Sequence, residues 1–420
     1  MDKSFHMENR RELYASQPDG TVFFLFAGRA PHQSADAYYP FFADRNFVYL
    51  TGLNGLEPHD FVLMAKKWGG ETRETLFILP PDAHEERWTG RRLTPEEVRE
   101  RSGVEDVQPL DKFDQAVHAA LSRGRYTAAA LDLRRNRPED APTPAQRFAH
   151  RVRRDYPGVN ILNCYRQLCA QRTIKKPCEI EAMRKAMEVT KAGIEAMMLA
   201  SRPGMREYEY KAAFDYALTT RGVLTPAFTS IISAGANNFC IHYDSYTGTA
   251  RDGDMVLNDV GAQWDGICTD VSRGWPCNGK FTARQRELYE CAYRTSEYMF
   301  QTIRPGIPMA DVDEMCRRYC CGELKKLGLL SGYEEIGKYM WHGGAHHVGY
   351  DVHDQVDMSR PVSPGMVFCV DVGIYVEEWG IGFRLEDNCL VTEDGCENLS
   401  AAIPRAVDEI EALMAARRAG

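Results

Sequence analysis

Apolar and polar positions follow two successive regimes along the chain. In the first, short apolar runs bounded by turn residues predict strands at 21–27, 47–51, 61–65 and 75–79, with helical stretches between them. Asp19-Gly20 opens the first strand, and the Pro-rich segment 138–144 reads as a loop. The second regime begins at Pro177, well placed as a first-turn proline. From there Met183, Met187, Ile194, Met197 and Met198 recur at helical spacing, a stripe that faces a core. A further helix opens at Thr282, where Gln285 completes a capping box, and is expected to run to about Ile303.

The second regime contains an internal repeat. Arg202-Pro203-Gly204 and Arg304-Pro305-Gly306 each end one helical stretch and precede another. Later in each half a glycine turn leads into an apolar strand: Gly253-Asp254-Met255-Val256-Leu257-Asn258-Asp259-Val260-Gly261, then Gly365-Met366-Val367-Phe368-Cys369-Val370-Asp371-Val372-Gly373. Both strands end in Asp-Val-Gly, so the halves are expected to pack as related α/β units about an approximate two-fold axis. A length of 420 residues suits two or three domains at about 150 residues each. The change of regime divides the chain into 1–165 and 166–420.

Composition narrows the partners. Sixty acids against 51 bases leave a net charge of -9, which argues against a nucleic-acid or anionic-membrane surface, and the basic cluster at Arg151 to Arg154 is too short to reverse that. No apolar run approaches the roughly 18 residues of a membrane span, and the N-terminus lacks a signal-peptide core, so a cytoplasmic protein is expected. Thirteen cysteines without a CxxC pair suggest reduced, mostly buried thiols rather than disulfides or a sulfur-rich zinc site.

The strands of the repeat carry the candidate chemistry. Folded as a hairpin about Trp264-Asp265, the first would set Asp259 opposite Asp270, side chains about 5 Å apart. Turning about Glu378-Trp379, the second sets Asp371 opposite Glu386. Like charges so close on apolar, buried strands are costly unless a cation neutralises them. Between the hairpins lies His342-Gly343-Gly344-Ala345-His346-His347-Val348-Gly349-Tyr350-Asp351-Val352-His353-Asp354, whose glycine pair favours an extended path over a helical zinc motif. Four carboxylates and an imidazole form a hard set suited to two divalent cations bridged by hydroxide, which makes water nucleophilic and polarises a carbonyl. Hydrolysis is the expected reaction class.

These residues resemble aminopeptidase P, the Xaa-Pro aminopeptidases of the creatinase, prolidase and methionine aminopeptidase superfamily. The resemblance runs through nearly the whole chain, including Phe47-Val48-Tyr49-Leu50-Thr51-Gly52, Trp88-Thr89-Gly90-Arg91-Arg92, Ile241-His242-Tyr243, Asp351-Val352-His353-Asp354 and Arg384-Leu385-Glu386-Asp387. It implies an α/β protein with a creatinase-like N-terminal domain followed by a pita-bread catalytic domain. Asp259, Asp270, His346, Asp371 and Glu386 match metal ligands, normally for two manganese ions. Asp371 and Glu386 also match catalytic acids, with Asp371 at the position of the base. His353 matches the residue at the scissile carbonyl, His242 that at the leaving nitrogen, and His342 with Arg384 the proline-side pocket. Asp36 resembles a residue that closes the pocket, and Trp88 one that reaches a neighbouring subunit's site.

Three departures stand out. The family's Glu-Pro is Asp371-Val372 here, Phe228 stands where a tyrosine is common, and the segment between Gly373 and Gly380 is short. The expectation is a cytoplasmic, homo-oligomeric (dimer or tetramer) metallo-aminopeptidase that removes the residue before proline. Two alternatives are a prolidase confined to Xaa-Pro dipeptides, and a catalytically impaired peptide-binding protein on the same scaffold.

Overall fold

The computed structural model describes residues 1–55 and 57–416, which divide between Gln171 and Arg172 into two compact units. The first contains strands β1 (Thr21–Phe26), β2 (His32–Ser34), β3 (Ala37–Tyr38), β4 (Val62–Trp68), β5 (Glu71–Ile78), β6 (Val107–Pro109), β7 (Ala128–Leu131) and β8 (Asn160–Asn163). Six of them make one mixed sheet in the order β6-β5-β4-β1-β7-β8. Val22 and Phe24 of β1 pack on Phe113, Phe148 and Val152 from helices Phe113–Leu121 and Pro144–Asp155. The loop expected over 138–144 ends at Thr143, because Thr143 and Gln146 form a capping box with Pro144 in the first turn.

One expected strand is a helix. Residues 47–51 lie within Arg45–Thr51, whose start is capped by Asp44 accepting from the Phe47 amide at 3.0 Å and whose end is Gly52 at φ +70°. All seven helical residues are buried, and a short, uniformly apolar run carries no period to separate a buried strand from a buried helix.

The second unit contains β9 (Ile231–Ala234), β10 (Met255–Val260), β11 (Gln263–Trp264), β12 (Ile267–Cys268), β13 (Val271–Pro276), β14 (Val367–Val376), β15 (Ile381–Val391) and β16 (Cys396–Asn398). They form antiparallel sheets β13-β10-β9 and β14-β15-β16 with the small ribbon β11-β12. Helix pairs Pro177–Ala200 with Glu207–Thr219, and Ala283–Thr302 with Met309–Lys326, contribute to the same core, where the methionine stripe is buried. The Thr282–Gln285 capping box starts the third of these helices, and Ile303 is its C-cap.

The repeat is written in the backbone. In the first half Gly204 N donates to Ala250 O at 2.7 Å and Ala250 N to Met205 O at 2.9 Å. The second half has the same exchange, Gly306 N to Val362 O at 2.8 Å and Val362 N to Ile307 O at 2.8 Å. Each half then turns through a left-handed glycine, Gly253 (φ +82°) or Gly365 (φ +84°), into its central strand.

The first hairpin differs from its expected register. Asp265 (φ +50°) and Gly266 (φ +85°) form its two-residue loop, as a type I′ turn requires, so the turn lies one residue later than Trp264-Asp265. Asp259 therefore faces Ser272 rather than Asp270. Asp270 is two residues from Ser272, in the break between β12 and β13. The second hairpin has the expected register, with Asp371 opposite Glu386.

Candidate metal centre

β10 delivers Asp259, β14 Asp371 and β15 Glu386, while Asp270 comes from the break between β12 and β13. Ser272 stands between the two hairpins: it faces Asp259 across the first, and its Oγ donates to Glu386 Oε2 of the second at 2.8 Å. His346 comes from the glycine-rich segment, which runs extended along β14. Asp371 N donates to Gly344 O at 3.0 Å, Cys369 N to His346 O at 2.7 Å and Val348 N to Val367 O at 3.1 Å. Asp259, Asp270, His346, Asp371 and Glu386 line a cavity of about 470 Å³ with His242, His342, His353, Arg384 and Phe228.

Each acid engages a protein group with one oxygen, and Glu386 Oε1 also lies 3.4 Å from His346 Nε2. Asp259 Oδ2 accepts from Arg384 Nη2 at 2.9 Å, Asp371 Oδ2 lies 3.1 Å from His342 Nδ1, and Asp270 Oδ2 lies 3.5 Å from His346 Nε2. The remaining oxygens, Asp259 Oδ1, Asp270 Oδ1, Asp371 Oδ1 and Glu386 Oε1, are buried without a hydrogen-bond partner. Buried carboxylate oxygens are costly to leave unsatisfied, and four in one cavity make a donor set that fits divalent cations.

The electrostatics agree. Burial, followed by the Glu386 charge and Asp259, pushes the Asp270 carboxyl well above the usual range. Asp259 is raised by burial and Glu386 even though Arg384 opposes it. Burial alone would depress His346, but Glu386 at 3.4 Å and Asp371 push it up. His342 is also opposed by burial, yet Asp371 lifts it to about 9. Acids that resist ionisation beside an imidazole that resists deprotonation describe a site with surplus negative charge, which a cation would neutralise.

The histidines surround this focus. The His353 ring stacks on His346 with centroids 4.1 Å apart, while burial and His346 depress its basicity. His242 is exposed at the cavity rim. His342 Nε2 and Arg384 Nη1 each lie 3.0 Å from Tyr375 Oη. Behind them Arg172 Nη2 donates to Asp351 Oδ2 at 2.6 Å and Asp354 Oδ1 at 2.5 Å, and Lys175 Nζ to Asp354 Oδ2 at 2.8 Å. This buried network ties down the loop that carries His353.

Thus Asp259, Asp270, His346, Asp371, Glu386, His242, His342, His353 and Arg384 share one cavity. Asp36 and Trp88 belong to the first unit: Asp36 is exposed in the β2–β3 turn, and Trp88 is 79% exposed on the short helix Glu86–Thr89. Sequence reasoning missed Tyr375, Ser272 and Cys369. Strand parity could have found two of them, because Cys369, Asp371 and Tyr375 point to one face of β14.

Comparison with known proteins returns two family models: Metallopeptidase family M24 over residues 181–393, and Aminopeptidase P, N-terminal domain, over residues 6–128. The chain is 32% identical to the Xaa-Pro aminopeptidase of Escherichia coli, covering 97% of both proteins, and 30% identical to that of Haemophilus influenzae, covering 97% and 96%. The solved structure of E. coli aminopeptidase P with the inhibitor Pro-Leu superposes with a TM-score of 0.90 at 30% identity, covering 100% of each chain. A more distant similarity, 27% over 82% of this chain and 79% of the relative, is to human Xaa-Pro dipeptidase.

Proposed function

The chain belongs to metallopeptidase family M24, and from that premise we propose that it is a metal-dependent Xaa-Pro aminopeptidase, removing the N-terminal residue that precedes proline. The observation that carries this reading is the set of four buried, unpartnered carboxylate oxygens converging on one cavity beside His346.

Asp259, Asp270, His346, Asp371 and Glu386 would hold two divalent cations, which the carboxylate-rich donor set suits as manganese. When bound, such ions supply a nucleophilic water near neutral pH and polarise the scissile carbonyl. The chain's own residues do the rest. Asp371, joined to His342, accepts the water's proton. His353, beside His346, presents a donor to the anion that develops on the carbonyl oxygen. His242 at the rim serves the departing proline nitrogen. His342, Tyr375 and Arg384 form the wall against which the proline side rests. Buried Ser272 and Arg384 hold Glu386 and Asp259 so that their second oxygens face inward.

The finer readings have separate support. None of the thirteen cysteines is joined in a disulfide, which suits a reducing, cytoplasmic location, and no helix among the described residues is long and apolar enough to cross a membrane. Tyr38, Tyr39, Phe42 and Trp88 are large, exposed aromatics on the first unit, a surface suited to homo-oligomer contacts.

The decisive experiment incubates the purified protein with Xaa-Pro-Xaa tripeptides and Xaa-Pro dipeptides, with manganese or with a chelator. Release of the first residue from tripeptides, abolished by the chelator, is expected. Cleavage confined to dipeptides would establish a dipeptidase instead. Bound metal and peptide without cleavage would establish a binding protein.

A further inference from the structure

We propose that Cys369 is a sulfur ligand of the cation position nearest His346, so that the centre is a mixed carboxylate, imidazole and thiolate site. The assignment rests on the metal-dependent function proposed above and adds a ligand to it. Donor atoms of Cys369, Asp270, His346 and Glu386 all lie within 4.8 Å of one another. Cys369 is fully buried on β14, two residues before Asp371 and on the same face. Its sulfur is fixed in place: Asn388 Nδ2 donates to Sγ at 3.4 Å and to the Asp270 carbonyl at 2.7 Å.

Two further observations point to a cation at this spot. Asp270 Oδ1 and Glu386 Oε1 have no hydrogen-bond partner, although their residues are only 3% and 2% exposed. Asp371 is absent from the cluster, its Oδ2 being engaged with His342 at 3.1 Å. An aspartate reaches one bond less far than a glutamate, about 1.5 Å, a gap that a metal site does not absorb without another donor. Cys369 is the donor the strand supplies on that side.

Coordination forms a sulfur–metal bond and breaks the S–H bond, and the proton is released to solvent. Thiolate is a softer ligand than carboxylate, so this position favours Zn²⁺ or Co²⁺ over Mn²⁺ more than an all-oxygen and nitrogen site would. The second position keeps its oxygen ligands.

The test loads metal-free wild type, Cys369→Thr and Cys369→Ala with Co²⁺ and records absorption spectra. Wild type should show a near-ultraviolet sulfur-to-cobalt charge-transfer band. Both variants should lose that band while still binding cobalt. Equilibrium dialysis against mixed Zn²⁺ and Mn²⁺, read by elemental analysis, should show the bound zinc-to-manganese ratio falling about tenfold or more in Cys369→Thr, a loss of the size that disturbing a metal's surroundings produces. Full cobalt uptake by wild type without the band, or an unchanged ratio in the variant, overturns the sulfur ligand alone. No cation uptake by wild type overturns the metal-dependent function and this assignment together. The wild-type spectrum needs no variant, so an unfolded Cys369→Ala protein leaves the test intact.

Discussion

Replacing Asp270 by asparagine should have opposite consequences with and without metal. Asp270 and Glu386 present donor atoms within 4.8 Å of each other, and at an effective dielectric constant near 20 two unit charges at that distance repel by about 3.5 kcal/mol. The protein relieves part of this by holding the Asp270 carboxyl protonated above its usual range, and asparagine is nearly isosteric with that protonated acid. In chelator, Asp270→Asn should therefore be as stable as wild type or more so. With metal the order reverses. Wild type gains about 2.7 kcal/mol when free cation is a hundredfold above its dissociation constant, whereas the variant has lost a charged ligand and gains far less. Urea unfolding followed by tryptophan fluorescence, with Trp275 buried in the second unit as a reporter, reads both arms. Equal destabilisation of the variant in chelator and in manganese would refute the reasoning, because it would make Asp270 an ordinary packing or hydrogen-bonding residue.

Asp371→Glu should bind metal more tightly in isothermal titration, and weaker binding would show that β14 has adapted to the shorter acid. Tyr375→Phe removes the hydroxyl shared by His342 and Arg384, and losing two buried hydrogen bonds at about 0.5–1.5 kcal/mol each should lower kcat/KM on proline peptides by roughly 5- to 150-fold. Elemental analysis should find its metal content unchanged, which separates a pocket role from a ligand role. Asp354 is opposed by burial but held down to about 2 by Arg172 and Lys175, so its stabilisation is present above the ordinary carboxylate range and lost as pH falls toward about 2. Asp354→Asn leaves both cations undercompensated and should cost about 3–5 kcal/mol at neutral pH in urea unfolding. Glu179 shows the reverse sign: burial pushes it up to about 7, so the folded state keeps a proton that the unfolded chain has shed, and stability should fall as pH rises from the usual carboxylate value to about 7. Glu179→Gln should flatten that slope.

The core strands and the repeat were legible because each rests on a strong local signal. Apolar runs ending in Asp-Val-Gly fixed two hairpins, and Arg-Pro-Gly marked equivalent helix ends, later seen as matching hydrogen-bond exchanges at Gly204 and Gly306. The 47–51 segment failed because its helix is buried on every side, which erases the period that distinguishes the two elements. Its Asp44 and Gly52 flanks were the usable clue.

The acid cluster does not depend on the exact register of the first hairpin. Moving the first turn from Trp264-Asp265 to Asp265-Gly266 shifts every cross-strand partner by two residues, and side chains alternate with a period of two. Asp270 therefore gives up its place opposite Asp259 to Ser272 without leaving the side of the ribbon that faces the cavity, as the lining of that cavity by both aspartates requires. Had the turn moved by half as much, to a loop of odd length, Asp270 would have pointed away from Asp259 and the four bare oxygens would have no common focus. The residues that escaped notice follow from the same geometry. Cys369 and Tyr375 sit in a strand whose every residue is buried, and by residue type each reads as core. Only their parity with Asp371 separates them from Phe368, Val370 and Ile374, so on a fully buried strand it is the face shared with a proposed ligand, rather than hydrophobicity, that points to the chemistry.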